Sequence, residues 1–135
     1  MRSRTRRALD DGMTLPELLV VMAIVAVLVA VALPIFLNQQ AKAYDSTVQS
    51  DLANVAIAVR THVDESSTLP TLAPTGDGYE LDGDRVATSP GVVLGGIVGD
   101  ADAYCLSATH PSGNVASSPG YRYTVTGGVE EGECP

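Results

Sequence analysis

The stretch that decides the fold is DDGMTLPELLVVMAIVAV, residues 10–27. A single carboxylate, Glu17, stands at the mouth of an apolar run, and a lone glycine, Gly12, stands five positions ahead of it. From Leu18 to Leu37 no side chain is charged or polar. Met13 to Leu37 is 25 residues, about 37 Å as a helix at 1.5 Å per residue, which crosses a hydrocarbon core of roughly 30 Å. Four arginines (Arg2, Arg4, Arg6, Arg7) precede the run. Cytoplasmic flanks favour basic residues, so the N-terminus is expected inside the cell and the remainder outside. A cleaved secretory signal competes, because Ala30-Val31-Ala32 offers a small-x-small cut site. Against it, Asp10, Asp11 and Glu17 break the usual basic-then-apolar order, and the apolar character continues past the supposed cut.

Charge divides along the chain. Residues 1–12 hold four basic and two acidic side chains, a net of +2, whereas residues 13–135 hold four basic and fourteen acidic ones, a net of −10. An acidic body lacks the basic stripe that a phosphate backbone requires, so direct nucleic-acid binding is not expected.

Beyond Leu37 the helix is expected to continue. Apolar or aromatic residues recur at Ala41, Tyr44, Val48, Leu52, Val55, Val59 and Val63, in steps of three and four that define one helical face. Lys42, Asp45, Gln49, Asp51, Asn54 and Arg60 read as the opposite, solvated face. No proline or glycine interrupts residues 35–69, and Pro70 pushes Leu69 out of helical geometry. The sequence therefore predicts one helix of about fifty residues, uniformly apolar in its first half and one-sided in its second.

At the start of that helix, Thr14-x-x-Glu17 fits a capping box. An acidic residue in the first turn also complements the positive end of the helix dipole, and Pro16 is tolerated there because its missing N–H has no helical partner. Capping alone accounts for Thr14, Pro16 and Glu17 in any membrane anchor. It does not account for Gly12 after a basic leader.

Gly12-Met13-Thr14-Leu15-Pro16-Glu17, followed by the apolar run and Pro34, resembles the N-terminal segment of type IV pilins and pseudopilins. The match is close over residues 1–37 and looser beyond. The resemblance implies a membrane-bound precursor cut between Gly12 and Met13 by a prepilin peptidase, which also N-methylates Met13. A pilus assembly ATPase and its inner-membrane platform would then polymerise the product into a helical filament. Met13 departs from the phenylalanine usual at that position. Cleavage would create a cationic terminus at Met13, and the expectation for Glu17 is that it neutralises the terminus of a neighbouring subunit and so sets axial register. Pro34 removes a helical hydrogen bond, and pilins with a proline here can lose helix locally inside the filament.

The implied fold is α+β and type IV pilin-like. Residues 1–12 are a basic leader that is removed, 13–37 a transmembrane and assembly helix, 38–66 an amphipathic helix half, and 67–135 a β-rich head. Tyr79–Leu81 and Arg85–Ala87 around Asp82-Gly83 read as a hairpin. Val92–Leu94, extending toward Val98 despite Gly95-Gly96, Tyr104–Ala108 and Tyr121–Thr126 read as further strands. A single antiparallel sheet of three to five strands against the helix seam is the economical arrangement. Cys105 and Cys134, an even count in an exported head, read as one disulfide closing a C-terminal loop.

Asp77, Asp82, Asp84, Asp100 and Asp102 fit no calcium-loop spacing and read as solvated turn residues. No metal site, cofactor site or catalytic constellation is read, and neither His62 nor His110 has a plausible nucleophile partner. The chain is expected to sit in the cytoplasmic membrane as a single-pass protein before assembly and on the cell surface afterwards. The leading function is a pilus subunit. The alternatives are a minor pilin or pseudopilin of a type II secretion or DNA-uptake system, and a monomeric membrane-anchored surface binding protein.

Overall fold

The computed structural model describes residues 12–135. The leader side chains Arg2, Arg4, Arg6, Arg7, Asp10 and Asp11 lie outside them. Among the described residues the elements are one helix, α1 (Leu15–Ser66), and seven strands. The strands are β1 (Leu72–Thr75), β2 (Gly78–Leu81), β3 (Asp84–Val86), β4 (Val93–Gly99), β5 (Tyr104–Thr109), β6 (Tyr121–Thr124) and β7 (Gly128–Glu131). Tertiary contacts divide the chain into two compact units, one ending at Phe36 and the other running from Leu37 to Pro135.

Helix α1 is 52 residues long and stays helical through Pro34. Its end is local chemistry: Ser67 turns left-handed at φ 57° while its N–H still reaches the Val63 carbonyl at 2.8 Å. The Ser66 hydroxyl donates to the His62 carbonyl at 2.8 Å, satisfying one acceptor that the last turn would otherwise leave open. In the first unit, the large apolar side chains from Leu18 to Phe36 are about half exposed or more. The helix is long and apolar enough to cross a membrane.

In the second unit the seam at three- and four-residue spacing is the core. Val48, Leu52, Val55 and Val59 are wholly buried, and they pack against Leu81, Leu94, Leu106 and Tyr121 from the strands. The strands form two antiparallel sheets, ordered β1-β2-β3 and β4-β5-β6-β7. This corrects the expectation of one sheet with three to five strands. The extra strands are the shortest signals: β1 carries Pro74, which survives on an edge strand that needs few donors, and β7 pairs only with β6 through Gly128–Glu131.

The β2–β3 hairpin turns at Asp82-Gly83 with φ of 47° and 96°, the positive pair that a two-residue type I′ turn demands. Strand β4 runs straight through Gly95-Gly96 by means of a bulge, since its register against β5 slips between Leu94 and Ile97. A Cβ on Gly95 would lie 2.1 Å from the Ser107 hydroxyl, so glycine is what lets the two strands approach there. The Tyr79 hydroxyl of β2 accepts the Leu94 N–H at 3.0 Å, linking the two sheets and occupying a donor of edge strand β4.

Cys105 of β5 and Cys134 form a disulfide across a sequence separation of 29. It ties the C-terminal tail onto the outer face of the second sheet, where Cys105 is buried. Replacing both cysteines with serine is expected to cost about 3–4 kcal/mol on the chain-entropy account, read as a lower urea midpoint for the chain in micelles. An unchanged midpoint would contradict that account.

Burial raises the pKa of the Tyr104 hydroxyl, and likewise of the Tyr121 hydroxyl. A folded pKa above the unfolded one means that the neutral phenol is favoured in the fold. Stability from these groups is intact below about pH 10 and is lost as pH rises through that value. A melting temperature that is level to about pH 9 and falls above about pH 10 is the expected profile.

Candidate functional site

Thr14 stands just outside the helix and Glu17 in its first turn. The backbone fixes both, because the Leu18 N–H already bonds the Thr14 carbonyl at 3.1 Å. Glu17 Oε2 accepts the Thr14 N–H at 2.9 Å and the Thr14 hydroxyl at 2.8 Å. In the full capping box the threonine oxygen accepts from the third helical N–H; here the hydroxyl turns to the carboxylate instead, so only the reciprocal half forms. One carboxylate oxygen is thus held by the chain itself. Among the described residues Oε1 has no hydrogen-bond partner and remains open to an external cation.

Gly12, Met13 and Glu17 lie on one short exposed segment at the start of α1. Among the described residues a Cβ at Gly12 would meet nothing within 4 Å, so no packing against them requires glycine there. Pro34 lies well inside the same helix. Cys105 and Cys134 belong to the second unit.

Two carboxylates assigned to the solvated face are buried, and this is a correction. Asp45 and Asp51 are 7% and 8% exposed. Asp45 accepts the N–H of Ala116 at 2.9 Å and of Val115 at 3.4 Å. Asp51 accepts the Ser89 N–H at 2.6 Å and its hydroxyl at 3.2 Å. A buried carboxylate requires such donors, and here they come from two loops of the head. Gly113 makes the first possible, since a Cβ there would sit 2.6 Å from the Asp45 carboxylate. Beside it, His110 stacks on Tyr44 with ring centroids 4.3 Å apart and its Nδ1 accepts the Ser112 N–H at 3.1 Å. The signal for both aspartates was present in the sequence: each stands three residues from Val48, on the edge of the seam.

Two further aspartates, Asp82 and Asp100, serve turns. Asp82 accepts the Thr71 N–H at 2.9 Å and faces His62 Nε2 at 3.3 Å. Asp100 accepts the N–H groups of Asp102 and Ala103.

Residues 8–33 match the family described as the prokaryotic N-terminal methylation motif. The fimbrial protein EcpB of Eikenella corrodens is 37% identical over 69 residues, covering 51% of this chain and 43% of that protein. The chain therefore spans less than half the length of that relative. The N-terminal segment thus carries the prokaryotic N-terminal methylation motif, on an α+β fold that combines a long helix with antiparallel sheets.

Replacing Asp45 or Asp51 with alanine strands two loop donors and is expected to cost about 1–3 kcal/mol in each case. Urea unfolding followed by near-ultraviolet circular dichroism measures it. A variant as stable as the parent would show that the loops find other acceptors.

Proposed function

We propose that the chain is the precursor of a structural type IV pilus subunit, cut between Gly12 and Met13 and N-methylated at Met13. The observation that carries this reading is the methylation motif over residues 8–33, together with a lone carboxylate at the head of an exposed, uncharged first half of the helix. The similarity to one fimbrial protein supports it. The chemistry at Gly12 and Met13 is done to this chain by a prepilin peptidase; the chain itself performs no catalysis.

Before processing, the Met13 nitrogen is an amide and carries no charge. Hydrolysis of the Gly12–Met13 bond makes it an amine, and methylation preserves its positive charge. Glu17 then has a cationic counterpart on every other subunit. Apolar helices slide past one another at little cost, whereas a buried carboxylate away from its counter-charge is penalised, so the ion pair selects one axial stagger.

The same reading places the precursor in the cytoplasmic membrane with its N-terminus inside, and the assembled subunit on the surface, handed on by the assembly ATPase and its inner-membrane platform. Pro34 is the proposed point at which the helix loosens in the filament: backbone rise grows from about 1.5 to about 3.3 Å per residue when helix becomes extended chain.

Glu17→Val is expected to leave the chain in the membrane and abolish surface filaments, assayed in the sheared extracellular fraction. Normal filaments would refute the register role. Mass spectrometry of the mature protein should find N-methylated Met13 as the first residue; a mature chain beginning at Met1, or one trimmed at Ala32, would overturn the processing.

A further inference from the structure

We propose that the cleft between the β1–β2 turn and the β3–β4 connection binds a neutral sugar ring. This does not depend on the filament reading, because the cleft lies wholly within the unit from Leu37 to Pro135. Its volume is about 430 Å³, within the range of roughly 300–1,000 Å³ that holds small ligands. Pro74, Thr75, Asp77 and Tyr79 line one wall, and Thr88 and Pro90 the other.

The chemistry of those walls is mixed in the way a sugar ring is mixed. The prolines and the tyrosine ring offer apolar surface to C–H faces. The Thr88 hydroxyl and the Asp77 carboxylate offer donors and acceptors to ring hydroxyls. Asp77 takes part in no ion pair among the described residues. Thr75 Oγ1 lies buried behind this wall, with no hydrogen-bond partner among the described residues. A lone carboxylate in an acidic body repels anionic ligands, which favours neutral sugars over uronates or sialylated ones.

The second wall is held more rigidly than a surface loop requires. Ser89, between Thr88 and Pro90, is gripped twice by the buried Asp51 carboxylate at 2.6 and 3.2 Å. Gly91 has φ of 85° and lies so close to His110 that a Cβ would come within 2.5 Å of Nε2. Two residues past Val92, the Leu94 N–H is held by the Tyr79 hydroxyl of the opposite wall at 3.0 Å. Three anchors from α1, the 110–120 loop and β2 thus fix one short connection. Such preorganisation lowers the ordering cost of binding.

The test is a titration of the ¹⁵N-labelled full chain in phosphocholine micelles. The probes are the methyl glycosides of galactose, glucose, mannose, N-acetylglucosamine and glucuronic acid. Saturable binding of at least one neutral glycoside is expected, with shifts at the amides of Thr75, Asp77, Thr88, Ser89 and Gly91, and weaker binding of the glucuronide than of the glucoside. Asp77→Ala and Thr88→Val should each weaken binding about fivefold or more without altering amides elsewhere. Asp51→Asn should weaken it through the loosened Ser89. Absence of saturable binding up to tens of millimolar, or undiminished binding by the Asp77→Ala/Thr88→Val double variant, would overturn the proposal.

Discussion

A carboxylate at the head of an uncharged helix is the constraint on which the rest depends. Between Glu17 and Lys42 the chain carries no charge at all, and its apolar side chains stand exposed along the helix. Such a surface must be covered, by lipid or by copies of itself. Neither cover specifies a position along the axis, because one band of valine and leucine packs about as well as the next. In the filament we propose, Glu17 breaks that degeneracy. Thr14 holds one of its oxygens and the other remains open, so the group is oriented by its own chain and still able to take a partner.

The unit from Leu37 to Pro135 solves a different problem, that of a small head with too little core. It takes one wall of its core from the helix, through Val48, Leu52, Val55 and Val59, and ties down its tail with the Cys105–Cys134 disulfide. Asp45 and Asp51 extend the same solution to the loops. Each exchanges a buried carboxylate for backbone donors lying 38 to 71 residues away in sequence. Burying charge in this way stabilises only when the donors are well placed, and the short bonds to Ser89 and Ala116 meet that condition. The helix therefore organises the head through polar contacts as well as apolar ones, and the 88–92 connection inherits its rigidity from them.

Much of this was legible in the residues because the signals are local. The run from Leu18 to Leu37, the three-and-four spacing from Tyr44 to Val59, and the Asp82-Gly83 turn each carry their own geometry. The hydrophobic seam named valines that the structure buries completely. What escaped was set by distant partners. Asp45 and Asp51 lie on the seam's edge, yet a polar residue on an amphipathic helix reads as outward until the loop that feeds it donors is known. Strand β1 is short and interrupted by Pro74, and β7 is recognised only through its pairing with β6. The strand is legible through Gly95-Gly96, but not the bulge there, since what decides it is the approach of Ser107 on the neighbouring strand.

The central claim is that the amine of one subunit meets the carboxylate of another. Filaments grown from a mixture of subunits, half labelled with ¹⁵N at Met13 and half with ¹³C at the Glu17 carboxyl, allow solid-state NMR to read that pair alone. The expected result is a dipolar contact between the Met13 nitrogen and the Glu17 carboxyl carbon in the mixed filament, at ion-pair distance. Intact filaments in which no such contact forms between differently labelled subunits would contradict it.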